Sequence, residues 1–102
     1  MRRIIPTDDA VMKIFKKDPS AVLDYGFNWT DWLDSTTDET ILESTWTVES
    51  GLTQGLDTEI EGVTTVWLSG GTLGEAYLVT NRIVTSAGRT EDRSFKIKIV
   101  NR

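Results

Sequence analysis

Histidine and cysteine are both absent from these 102 residues. Without histidine the chain lacks the side chain that most often serves as general base or metal ligand near neutral pH, which argues against a hydrolase. Without cysteine no disulfide can staple the fold, so stability must come from a packed core, as in proteins made inside cells. No apolar run approaches the roughly 18 residues of a membrane-spanning helix, so no membrane partner is expected. Arg2 and Arg3 stand near the start with no apolar stretch behind them, and no signal peptide is expected. Basic surface is scarce as well: the net charge of −5 disfavours nucleic acid as a partner.

The charge that is present is unevenly spread. Between Asp18 and Glu75 there are twelve acidic residues and no lysine or arginine. An acidic middle between basic ends could dock copies head to tail, although solvated surface charge is the simpler explanation. The length suits a single domain. Residues 1–17 read as a separate N-terminal segment, partly flexible in the isolated chain, and residues 18–102 as the folded body. Within that segment, residues 10–15 form a short apolar run that suits a strand or one helical turn.

Apolar residues then recur with period two, the signature of strands. Ala21, Leu23, Tyr25, Phe27 and Trp29 alternate with Val22, Asp24, Gly26 and Asn28, giving one aromatic inner face. Thr30 or Asp31 is placed to cap a turn containing Trp32 and Leu33. Over residues 39–48, Leu42, Ser44, Trp46 and Val48 fall on one face. Residues 52–56 suggest a short edge strand. Residues 57–69 read as one long strand kinked at Gly62, with Trp67 facing outward beside Glu59 and Glu61. Residues 75–85 place Tyr77, Val79, Asn81 and Ile83 inward. Residues 93–101 place Phe95, Ile97 and Ile99 inward and leave Lys96 and Lys98 to guard a terminal strand against edge pairing.

Turn signals at Ser50-Gly51, Gly70-Gly71 and Ala87-Gly88 separate these runs. The whole predicts an all-β fold, an immunoglobulin-like antiparallel β-sandwich of about seven strands. Tyr77, following a glycine-marked crossing, is expected to fold back over that turn and hydrogen-bond the backbone upstream, as a tyrosine corner does.

Little in the chain invites chemistry. Serine or threonine with lysine or a carboxylate is the remaining nucleophile pairing, and no spacing resembles a working arrangement. Asp34, Asp38 and Glu39 could offer oxygens to calcium, but they lack the alternation and turn glycine of an EF-hand loop and read as a polar loop. No catalytic residue, cofactor or metal is assigned. Gly70-Gly71 has no following Lys-Ser/Thr and is a turn, not a phosphate cradle. Asn28-Trp29-Thr30 fits a glycosylation sequon by accident. The four tryptophans are more telling. Trp46 belongs to the core, while Trp29 and Trp32 could each cap one end of the sandwich or contact a partner, and Trp67 points out. Trp29, Asp31, Trp32 and Trp67 are the candidate partner-binding residues.

Read together, Lys17-Asp18-Pro19-Ser20-Ala21-Val22-Leu23-Asp24-Tyr25, Asn28-Trp29-Thr30-Asp31-Trp32-Leu33, Ser44-Thr45-Trp46-Thr47-Val48, Thr65-Val66-Trp67-Leu68-Ser69-Gly70-Gly71 and Tyr77-Leu78-Val79-Thr80-Asn81-Arg82 form an ordered series. The series resembles a family of small tailed-phage and prophage virion proteins described as fibre-tail adaptors. Single pieces are unspecific, but the resemblance runs through residues 17–100. It implies a non-enzymatic structural protein, made in the bacterial cytoplasm and built into the virion, that links fibre or baseplate components to the tail. Its expected partners are other virion and tail proteins, with self-association into a homo-oligomer open. The alternative is a carbohydrate- or cell-surface-binding module, in which Trp29 and Trp32 beside Asp31 would stack on sugar rings.

Overall fold

In the computed structural model, residues 3–6 and 12–101 are described. The described residues form eight strands: β1 (Ile4–Pro6), β2 (Ile14–Lys17), β3 (Leu23–Asn28), β4 (Ile41–Val48), β5 (Leu52–Ile60), β6 (Val63–Gly70), β7 (Ala76–Thr85) and β8 (Thr90–Ile99). A single 3-10 turn, Ser35–Thr37, is the one helical element among the described residues. The strands make two four-stranded sheets, in the orders β1-β3-β6-β5 and β2-β8-β7-β4, packed as an all-β sandwich.

The expected strand count of about seven becomes eight, and the sandwich is not wholly antiparallel. β1 pairs with β3, and β2 with β8, in parallel. Both are lateral strands from the start of the chain that meet their partners across a large sequence separation, so no tight hairpin dictates antiparallel pairing. Of residues 10–15, the first two lie outside the described residues, and Ile14 and Phe15 belong to β2. With β2 beside it, β8 is internal to its sheet. Lys96 and Lys98 therefore do not guard an edge.

The period-two faces fill the space between the sheets. Tyr25, Phe27 and Trp29 from the first sheet meet Trp46, Tyr77, Val79, Ile83, Phe95, Ile97 and Ile99 from the second, all buried. Phe95 is the hub: its ring lies 5.6 Å from those of Phe15, Tyr25 and Phe27 and 6.2 Å from Trp46. Each such fully buried aromatic contributes about 2–3 kcal/mol over an exposed one.

Two predicted faces change where the ladder slips. Between Ile41 and Glu43 a bulge interrupts pairing with β7, so Ile41 is buried and Leu42 is 67% exposed, the reverse of strict alternation for this segment. The strand expected over residues 57–69 is two strands. Glu61 (φ 49°) and Gly62 (φ 85°) are both left-handed and turn the chain through a two-residue hairpin between β5 and β6, while the bulge in β5 falls earlier, between Gln54 and Asp57. Trp67 keeps its outward position, because β6 beyond the turn retains its own alternation.

The chain crosses between sheets at both ends of the sandwich. At one end, from β6 to β7, the Tyr77 hydroxyl accepts a hydrogen bond from the Thr72 amide at 3.0 Å, the expected corner. The same end holds Lys17, which is fully buried on β2 and donates from Nζ to the Gly70 carbonyl at 2.7 Å and to the Asp18 carbonyl at 2.9 Å. Burial pulls the Lys17 pKa below its ordinary value, against the opposing pull of Asp18. The other end gathers residues 29–40, the Glu61-Gly62 hairpin and the β7–β8 turn at Gly88.

Candidate functional site

Residues 28–33 make a turn, but Asn28 rather than Thr30 or Asp31 stabilises it. Its Oδ1 accepts from the Thr30 amide at 3.0 Å and from the Thr30 hydroxyl at 2.7 Å, and the Trp32 and Leu33 amides close on the Trp29 carbonyl. That turn swings Trp29 into the core. Trp29 is fully buried, and its Nε1 donates to Asn81 Oδ1 at 3.0 Å and to Thr64 Oγ1 at 3.2 Å. It therefore caps the core and offers no ring face to a protein or a sugar, which removes it from the candidate contacts.

Trp32 is half-buried. Its ring meets Trp29 edge-on at 5.5 Å, and the Arg89 guanidinium lies over it at 3.9 Å. Arg89 is held there by Glu39, whose side chain is wholly buried, with Arg89 Nε at 2.9 Å from Glu39 Oε2 and Nη2 also bonding Oε1. The Thr85 hydroxyl and the Asp34 amide donate to the same carboxylate. Asp31 is exposed beside this cluster. Asp34, weighed above as a calcium ligand, instead caps the 3-10 turn by accepting from the Thr36 amide and hydroxyl. Among the described residues no group of three or more His, Cys, Asp or Glu is placed to hold a metal.

These hydrogen bonds, that from Arg89 first and those from Thr85 and the Asp34 amide next, hold the Glu39 carboxyl down from an ordinary 4.5 to about 2, against the upward push of burial. A depressed carboxylate pKa contributes stability that is intact above the unfolded value and is lost as pH falls through the folded one. Unaltered protein is expected to lose melting temperature between about pH 4.5 and 2 more steeply than the Glu39→Gln variant. Thermal melts of both across that window check it, and parallel curves would show that Glu39 carries no such linkage.

Trp67 lies elsewhere. In the ladder it stands opposite Asp24 of β3, four positions from Val63 at the hairpin, on the outer face of the first sheet, and is 42% exposed. On its other side Gly55 leaves room for it: a Cβ at Gly55 would come within 3.3 Å of the Trp67 Cβ. Val22, two residues before Asp24, is 60% exposed and Leu56, in the adjoining bulge, 71%. The outer face near Trp67 is thus accessible, with the ring set against the charged Asp24 on one side and the bulge of β5 on the other. Asp24 is tied to Arg3, whose Nη2 approaches its Oδ1 at 2.5 Å.

The candidate residues therefore separate into three places. Trp29 is core, Asp31 and Trp32 mark one end of the sandwich, and Trp67 marks one face. Sequence reasoning did not single out the roles of Asn81, Thr64, Glu39 and Lys17. The signals available were a polar residue at an inward position of a strand, as at Asn81 and Thr64, and a lysine two positions after Phe15, on the same side of a strand.

Over residues 17–98 the chain matches the model of a protein family described as podophage GP4 fiber-tail adaptor protein gp77. No curated protein matches the chain.

Proposed function

Since the chain belongs to the podophage fibre-tail adaptor family, we propose that it is a non-enzymatic virion component joining fibre or baseplate proteins to the tail, and that it meets one of them through the outer face around Trp67. The observation that carries the assignment of the surface is the 42% exposure of Trp67 beside exposed Val22 and Leu56. Aromatic anchors left accessible on a rigid face are enriched where proteins bind proteins. The sheet memberships β1, β3, β6, β5 and β8, β7, β4 support reading the scaffold as immunoglobulin-like, since they follow the A, B, E, D and G, F, C groupings of that sandwich. A paired sheet face with few rotatable parts suits a spacer whose role is contact.

Trp67→Ala is expected to weaken binding to a neighbouring tail or fibre protein at least tenfold, the scale of an interface hot spot, while melting temperature stays nearly unchanged. Trp32→Ala is expected to behave in the opposite way. It removes the platform for Arg89 and the edge contact with Trp29, so it lowers stability first. Calorimetric titration of both variants against the neighbouring virion proteins tests the assignment. Undiminished binding by Trp67→Ala would move the contact away from this face.

A further inference from the structure

At the end of the sandwich that gathers residues 29–40, a cleft of about 470 Å³ opens between residues 30–41 and the β5–β6 hairpin. Leu33 and Ile41 give it an apolar lining, and Thr30, Glu39, Glu59 and Glu61 a polar one. Its two walls are fastened to each other. The Trp29 amide bonds the Gly62 carbonyl at 2.8 Å, and a Cβ at Gly62 would lie 3.0 Å from Thr30 Cγ2 and 3.4 Å from Leu33 Cδ1. The hairpin therefore rests on the turn at residues 30–33, and the cleft is preformed.

Its three carboxylates are not equivalent. Glu39 is neutralised by Arg89. Glu59 stands opposite buried Thr64 and so projects to the inner side of the first sheet, where its Oε2 accepts from the Gly62 amide at 3.0 Å. That bond holds it at the cleft. Glu61, exposed at the hairpin, adds a second negative charge. Among the described residues no lysine or arginine forms an ion pair with either: Arg3, Arg82, Arg89 and Arg93 are bound to Asp24, Asp92, Glu39 and Glu91. The cleft also lies within the stretch from Asp18 to Glu75 that has twelve acidic residues and no basic one, so its own walls supply no cation.

An apolar lining beside two carboxylates that lack a cation fits a side chain with a hydrocarbon stem and a positively charged head. Arginine fits better than lysine, because its planar fork reaches two carboxylates at once and gives up water more readily. A calcium ion would need six or more oxygens and would leave the apolar lining unused. We infer that the cleft receives an arginine side chain from a partner protein, its stem against Leu33 and Ile41 and its guanidinium between Glu59 and Glu61. Arginines seated in preformed pockets are recurrent anchors of protein interfaces. The cleft opens on the inner side of β5 and Trp67 on the outer face of β6, so the two contacts stand or fall separately.

Nuclear magnetic resonance on the full chain tests this with a short probe, the capped tripeptide acetyl-Gly-Arg-Gly-amide. Saturable shifts are expected at the Leu33, Ile41, Glu61 and Gly62 amides, with a Kd on the order of 1 mM. The same peptide carrying citrulline, the neutral isostere of arginine, should bind at least tenfold more weakly, and so should the lysine peptide by a smaller factor. Glu59→Gln combined with Glu61→Gln is expected to weaken the arginine peptide at least tenfold with an otherwise unchanged spectrum, since glutamine at position 59 keeps an oxygen for the Gly62 amide. Equal binding of the citrulline and arginine peptides overturns the inference, a comparison that needs no variant. So do shifts that calcium chloride reproduces at the same concentration, tighter binding of free putrescine than of the peptide, or no shift at these amides up to about 10 mM peptide.

Discussion

Asn81→Leu is expected to remove about 3–4 kcal/mol of unfolding free energy, a large share of the 5–15 kcal/mol that a domain of this size possesses. Asn81 sits fully buried on β7 and satisfies polar groups from both sheets. Its Oδ1 accepts from Trp29 Nε1 at 3.0 Å and Thr64 Oγ1 at 2.7 Å, both from the first sheet's side. Its Nδ2 donates to Ser44 Oγ at 3.0 Å and the Thr45 carbonyl at 3.1 Å on β4. Leucine keeps the same branched skeleton with bulkier ends, so no cavity opens and the main loss is polar. The cost lies in the buried groups left without partners, at about 1–3 kcal/mol each before relaxation. Adding Trp29→Phe, which removes one stranded donor, should recover part of the loss, and the double variant should therefore be less than additive. Urea unfolding gives the readout: a shifted midpoint at unchanged slope. A shift worth less than about 1 kcal/mol would mean that the network is not a structural tie between the sheets.

Gly26→Ala is expected to cost about 3 kcal/mol or more, even though it adds one methyl group. β3 passes so close to β6 at this point that a Cβ on residue 26 would overlap the Thr64 carbonyl oxygen, lie 3.1 Å from its carbon and press on Ile4 Cδ1 at 3.0 Å. The obstacle is a neighbouring backbone, which cannot rotate aside, so β3 and β6 must part locally. Since Thr64 also serves the Asn81 network, the effects of Gly26→Ala and Asn81→Leu should not add independently. Gly74→Ala is the control. Its Cβ would meet nothing within 4 Å, and only the φ of +90° resists it, so it should cost about 1 kcal/mol. Equal losses at the two sites would mean that backbone conformation, and not the close approach of β6, governs Gly26.

How much was legible in the sequence depended on whether a residue's surroundings are local. β7 and β8 follow their alternation without a slip, so Tyr77, Val79, Ile83, Phe95 and Ile97 are placed correctly by period alone. β4 is not, because the extra residue at Leu42 inverts the face and nothing in its composition announces a bulge. The hairpin at Glu61-Gly62 escaped for a related reason: a glutamate in the left-handed region is uncommon, and its neighbours on both sides continue the same threonine- and valine-rich pattern. Trp29 and Trp32 were undecidable for a different cause. Whether Trp29 turns in or out depends on hydrogen-bond partners at Thr64 and Asn81, 35 and 52 residues away. Glu39 likewise reads as one more acid in a polar loop until Arg89, 50 residues on, closes over it.

The parallel pairing of β2 with β8 has a mechanical consequence. The Lys96 amide bonds the Lys13 carbonyl near one end of this ladder, and the Val100 amide bonds the Lys17 carbonyl at the other. With the two strands running the same way, a pull on the chain's two ends drags β2 and β8 past each other lengthwise. The bonds then share the force and must break together, whereas a hairpin pulled open from one end would surrender them one at a time. Tension applied along the chain is thus met in shear, the direction in which a short ladder resists most.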